Sequence, residues 1–339
     1  MSLIYMTAGL TLSERIAWFL GADGAVFEMT ETYLKTILLM SPLFLAGDIF
    51  TCFVRCDGEP GLSMAAMIIA SLSNIVMDYI FIFPLKMGIF GAAFATGTAP
   101  FISMAVLSLY MRKKERFRAA YSLPSIKETG KILAAGFPSL ITELSAGIIM
   151  ALFNFLILKI EGNIGVAAYG IIANLSLVAI ALCTGTAQGM QPLVARVHGK
   201  NDKFSEKLLF KYSIRICVLA AMVIYVLLVV FAGRITAVFN GENNLKLAQL
   251  AERGIFIYFL MLPFAGINIV TSMFFASIEK PVSAQIISAA RGFAVIVPAV
   301  ILAAQLAGIV GIWFSVAVSE IVTFAVGETL YINLKKSWQ

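Results

Sequence analysis

Long apolar runs alternate with short polar breaks along almost the whole chain. An apolar run of about 20 residues, coiled as a helix, matches the hydrocarbon thickness of a bilayer. The pattern predicts spans near 34–54, 62–83, 91–111, 133–158, 164–190, 208–232, 253–276, 283–303 and 310–333. A shorter apolar piece at 2–20 carries Glu14 and Arg15 and reads as part of a span. The expected fold class is therefore an all-α polytopic membrane protein, with the lipid bilayer as its surroundings.

The composition agrees with this pattern. Only 13% of the 339 residues are charged and 60% are hydrophobic, with a mean hydropathy of +0.93. The net charge of +6 comes from Lys and Arg scattered between spans. No basic face is available, so no nucleic-acid partner is expected. Loop 112–131 carries Arg112, Lys113, Lys114, Arg116, Arg118, Lys127 and Lys131. A second basic loop follows Gln191. With spans alternating sides, both loops fall with Arg55, Lys280, Lys335 and Lys336. Basic loops stay in the cytoplasm, which puts the C-terminus there and the protein in the cytoplasmic membrane.

Few residues offer other chemistry. Cys52, Cys56, Cys183 and Cys217 fall in or at apolar helices without metal-ligand spacing, and packing roles are expected for all four. His198, the single histidine, sits in a basic loop and is expected to be solvated. No Walker motif, Gly-rich phosphate loop or catalytic triad is visible, so neither an enzyme nor an ATP-driven pump is expected, and no cofactor is called for. Pro42, Pro138, Pro263 and Pro298 lie in or at the start of spans, where proline kinks a helix.

The chain also repeats itself. Phe19 and Gly21 match Phe239 and Gly241 at an offset of 220. Leu39, Met40, Pro42, Phe53 and Pro60 match Leu260, Met261, Pro263, Phe274 and Pro281 at 221, and Gly88–Ile89–Phe90–Gly91 matches Gly308–Ile309–Val310–Gly311 at 220. Two halves in the same orientation form a parallel repeat, with a substrate path expected between them. The expected division is a partial first lobe at 1–112, a basic linker at 113–131 and a second lobe at 132–339. The second half begins near Lys131, so about 90 residues of the first half have no counterpart. The chain is expected to lack the first two helices and part of a third.

Two groups of polar residues lie at membrane depth. Asn74 and Asp78, four apart, share one face of the helix near 62–83, and Thr96 lies on the next helix. Asp78 is 16 residues into its span, about 24 Å deep. An intramembrane carboxylate is costly unless it meets a partner or a wet cavity. Carboxylate, amide and hydroxyl oxygens suit a hard cation, and a carboxylate also takes a proton. In the second half, Glu143 falls about 15 Å deep, near the midplane. Asn154, Asn174, Gln188 and Gln191 are candidates to line a cavity with it. Arg291 and Glu320 are expected to pair.

The motifs together resemble the multidrug and toxic compound extrusion (MATE) family. They are Arg55-x-x-Gly58-x-Pro60, Asn74-x-x-x-Asp78 and Gly88-x-x-Gly91-Ala92-Ala93-x-Ala95-Thr96 in the first half. The second half has Gly136-x-Pro138 with Glu143, Ala168-Tyr169-Gly170-Ile171, Gln188-Gly189-x-Gln191-Pro192 and Gly308-x-x-Gly311-Ile312-Trp313. The pattern is closest to the bacterial branch of MepA-like pumps. The resemblance implies a two-lobe bundle of twelve helices, of which this chain supplies the end of the third to the twelfth. It implies a monomeric antiporter that exports cationic amphipathic compounds against inward Na⁺ or H⁺. It assigns the coupling ion to Asn74, Asp78 and Thr96, with a helix-one aspartate that has no equivalent here, so the chain as given is expected to be impaired or inactive. Two alternatives are a flippase for a lipid-linked precursor and a non-transporting fragment. A flippase would be expected to carry several deep cations, whereas only Arg291 is deep.

Overall fold

A computed structural model describes residues 2–19, 24–113, 125–241 and 244–336. Gly21, Lys114, Arg116 and Arg118 lie outside the described residues. The chain forms two compact units, residues 1–122 and 123–339. Regular structure among the described residues is entirely helical.

The first unit begins with the short helices α1 (Ser2–Thr11) and α2 (Ser13–Phe19). Next come α3 (Gly24–Leu39) and α4 (Ser41–Cys56), bent by 50° at their junction. The hairpin α5 (Pro60–Ile82) and α6 (Gly88–Lys113) completes the unit. Buried Val54, Ala66 and Leu107 join α4, α5 and α6. Close approach replaces bulk here, as expected for helices that associate in lipid through small residues. A Cβ on Gly47 would stand 3.0 Å from Pro100, and one on Gly97 would run into Met40.

The second unit holds α7 (Ile126–Gly199), α8 (Lys203–Val230), α9 (Ala232–Phe239), α10 (Leu245–Tyr258), α11 (Leu262–Ser277), α12 (Pro281–Ala289) and α13 (Ile296–Lys336). Two of these are hairpins. α7 breaks at Gly162, and α13 at Ala307–Gly308. The Phe153 and Tyr169 rings stack 5.4 Å apart across the Gly162 break, whereas 16 residues of straight helix would separate them by about 24 Å. Tyr169 also stacks on Trp313 at 6.0 Å. Trp313, Phe153, Phe259, Phe274 and Phe275 are the largest fully buried side chains.

Six stretches among the described residues are long and apolar enough to cross a membrane, and the bent α3–α4 pair makes a seventh. Because two of the six are hairpins, these stretches supply nine crossings, at the positions that the apolar pattern predicts.

Proline sets three breaks. It removes the N–H that would bond the carbonyl four residues back. Pro42 frees Leu38 beside the α3–α4 bend. Pro263 frees Phe259, which starts a 3₁₀ turn at Phe259–Met261. Pro298 frees Ala294, which ends a π turn at Ala290–Ala294. Pro138 is the exception: the helix runs through it without a break in φ/ψ.

The repeat is visible in the backbone. Gly88 and Gly308 both have φ 56°, each directly before or at the start of a helix. Gly58 and Glu279, 221 apart, both have positive φ, and each is followed two residues later by a proline at a helix start.

Candidate ion and substrate sites

In the first unit, Asn74 and Asp78 are half-buried on α5. The side chain of Thr98 donates to Met77 Sδ at 3.6 Å, and the Phe81 and Phe94 rings lie 5.7 Å apart. In this antiparallel register Gly97 is level with Asp78, and Thr96 lies within a turn of it. Thr96 Oγ1 donates to the Ala92 carbonyl at 3.0 Å, leaving its lone pairs to accept or ligate.

Two atoms on α5 have no partner. Asn74 Nδ2 and Asp78 Oδ1 are buried and lack a hydrogen bond among the described residues. Each such atom costs about 1–3 kcal/mol. A half-turn of the Asn74 amide exchanges Nδ2 and Oδ1, so that this buried position can present an oxygen. The arrangement thus offers a carboxylate, an amide oxygen and a hydroxyl on two packed helices, with orphaned valence at the first two.

The second-unit candidates are more dispersed. Glu143 is exposed and makes no hydrogen bond or ion pair among the described residues. Asn154, eleven residues on, lies on the same face and is half-buried. Asn174 is exposed, and its amide donates to the Gly170 carbonyl at 2.8 Å. Gln188 and Gln191 are half-buried one turn apart near the end of α7.

A network that the sequence showed only in part lies deeper in this unit. Arg291, on the π turn, donates through Nε to Glu320 Oε1 at 2.6 Å. Asn268 Nδ2 donates to Glu320 Oε2 at 2.7 Å and to the Glu320 carbonyl at 2.9 Å. Both carboxylate oxygens of buried Glu320 are therefore occupied. Asn268 was missed in the sequence, where a lone amide in an apolar α11 gives no hint of its partner 52 residues away.

Two expectations need correcting. Fully buried Glu206 accepts from Lys203 Nζ and pairs with His198 Nδ1, both at 2.9 Å. His198 is thus held at the turn between α7 and α8 rather than solvated. Its position two residues before the Lys200–Asn201 turn concealed the acid eight residues later. Cys183 and Cys217 are buried, as packing roles require, but Cys52 and Cys56 are exposed.

Outside the spans, helix starts are strongly capped. Ser125 and Glu128 form a reciprocal capping box on α7, and those hydrogen bonds hold the Glu128 carboxyl below the usual range. Asp202 caps α8, and Ser205, through its hydroxyl and then its N–H, lowers the Asp202 carboxyl.

Comparison with known proteins adds the family. The MatE family model matches residues 1–80 and 138–301. The chain is 27% identical over 312 residues to the multidrug export protein MepA of Staphylococcus saprophyticus, a match covering 91% of this chain and 68% of that protein. It is 25% identical over 325 residues to MepA of a bovine Staphylococcus aureus strain, covering 94% and 70%. Among solved structures, the Vibrio cholerae MATE transporter VcmN superposes with a TM-score of 0.90 at 21% identity, covering 99% of this chain and 76% of that one. An outward-facing multidrug resistance MATE transporter gives 0.88 at 22%, covering 99% and 77%.

Proposed function

The chain belongs to the MatE family of multidrug and toxic compound extrusion transporters, and on that premise we propose that it is a cation-coupled antiporter exporting cationic amphipathic compounds. It works by alternating access in the cytoplasmic membrane, as a monomer with its C-terminus in the cytoplasm. Asp78, Asn74 and Thr96 bind the coupling Na⁺ or H⁺. Glu143 is the second carboxylate, meeting a cationic substrate or a proton, with Asn154, Asn174, Gln188 and Gln191 along the substrate path.

The observation that carries this reading is the pair of orphaned atoms at Asn74 and Asp78. A fold does not leave an unpaired amide and carboxylate oxygen in an apolar hairpin without cost, and a bound cation or proton would offset it. The names of the Staphylococcus relatives support export of drugs as the cargo. The mechanism follows: a cation at Asp78 stabilises the state that releases cargo outside, and loss of that cation to the cytoplasm returns the empty carrier.

The test is dye efflux from cells expressing the full-length form of the gene, with Na⁺ and proton gradients collapsed separately. Efflux should stop with one gradient, and Asp78→Asn should abolish it. If Asp78→Asn and Glu143→Gln both leave ion-coupled efflux intact, the proposal is wrong.

A further inference from the structure

Two of the four cysteines form a site that the transport reading does not use. Cys52 and Cys56 lie one turn apart on α4, so their side chains project side by side from the helix. Both are exposed. Residues four apart on a helix have Cβ atoms about 5–6 Å from one another, so two sulfurs placed this way can reach a common centre. Cys56 is the last residue of the helix, and the polar turn Asp57–Gly58–Glu59 follows. The pair therefore sits at the edge of the apolar span, where a water-borne reagent can arrive. Cys183 and Cys217 make the contrast. They are buried, and a Cβ on Gly266 would meet their sulfurs at 3.4 and 2.8 Å.

The donor set narrows the ligand. No group of three or more His, Cys, Asp or Glu able to hold a metal exists among the described residues. A four-coordinate zinc site is therefore not formed by this pair. Two adjacent thiols with no nitrogen or carboxylate partner select a soft, thiophilic centre that needs two sulfurs from the protein and brings its own third substituent.

We propose that Cys52 and Cys56 form a dithiol site for trivalent organoarsenic or organoantimony compounds. The reaction is a condensation. Two S–H bonds break and two bonds from sulfur to the metalloid form. The oxygen of the arsenoxide leaves as water, carrying both thiol protons. The metalloid stays trivalent, so no oxidant or reductant is required. Bridging one helical turn holds the metalloid by two sulfurs of one chain, which a single thiol cannot do; that chelation sets this pair apart from an ordinary exposed cysteine.

The experiment uses purified full chain in detergent, phenylarsine oxide as the probe and an excess of a simple monothiol to strip singly bound arsenic. Intact-protein mass is the readout. One phenylarsenic adduct per chain is expected, removed by a small dithiol and lost in Cys52→Ser and in Cys56→Ser separately. Both substitutions are at exposed positions, and size-exclusion elution checks that the variants remain folded. Absence of the adduct in the unaltered chain would overturn the proposal. So would an adduct that survives in either single variant, since it would then reside on Cys183 and Cys217 or on one thiol alone.

Discussion

Arg291 Nε and Glu320 Oε1 meet at 2.6 Å, tying the π turn to the helix 29 residues farther along. Asn268 holds the other carboxylate oxygen from a third helix. Removing one member of a buried ion pair strands the other charge, at a cost of about 3–5 kcal/mol. Glu320→Ala should therefore destabilise the chain by about 3 kcal/mol or more in thermal melts of detergent-purified protein. Replacing both residues, as Arg291→Met with Glu320→Leu, should restore most of that loss. A double variant as unstable as the single one would show that the site needs the charges themselves.

Asp78 makes the opposite prediction. Its Oδ1 is already unpaired, so Asp78→Asn removes a cost and should leave the melting temperature unchanged or raised. A ligand that binds only the folded state raises apparent stability by RT ln(1 + [L]/Kd). If Na⁺ is the coupling ion, added Na⁺ should raise the melting temperature of the unaltered chain and not that of Asp78→Asn. A shift that persists in the variant would move the ion elsewhere.

The left-handed corners can be tested in parallel. Gly88 and Gly308 share φ 56°, which costs a residue with a Cβ about 1–2 kcal/mol. Gly88→Ala and Gly308→Ala should each lower stability by that amount. Gly311→Ala should cost more, because its Cβ would run into the Ala303 carbonyl oxygen. Melting curves of the three variants give the ranking directly.

The α8 cap predicts a pH dependence. Asp202 has a lowered carboxyl pKa because Ser205 bonds its ionised form. A group depressed in the folded state adds stability above its unfolded value, about 3.9 for aspartate. That contribution fades as pH falls through the lower folded value. The difference in melting temperature between the unaltered chain and Asp202→Ala should be full at neutral pH. It should shrink progressively below about pH 4, and Asp202→Asn should retain part of the cap at every pH.

The periodic part of the fold was legible. Runs of apolar residues mark each crossing because lipid requires continuous helix there. The bends at Pro42, Pro263 and Pro298 follow from a missing N–H, which a sequence states outright. Pro138 is different: whether a helix carries on past a lost hydrogen bond is decided by its neighbours. For the same reason the partners of Glu320 were half visible. Arg291 announces itself as a deep charge, whereas Asn268 is one amide among apolar neighbours. Glu206 and His198 were hidden because burial, not spacing, pairs them. The exposure of Cys52 and Cys56 depends on which face of α4 its neighbours cover, a property with no signature in a uniformly apolar run.

The matched corners at Gly88 and Gly308, with the matched prolines at Pro60 and Pro281, have one more consequence. Matching corners at a nearly constant spacing, 220 for the glycines and 221 for the prolines, are what a gene that doubled and fused would leave. Its single-length forebear, carrying one corner and one proline start, would have had to find a second copy of itself in the lipid to be complete. The polar groups that differ between the halves, Asp78 in one and the Arg291–Glu320 pair in the other, are what such a fusion would have left free to diverge.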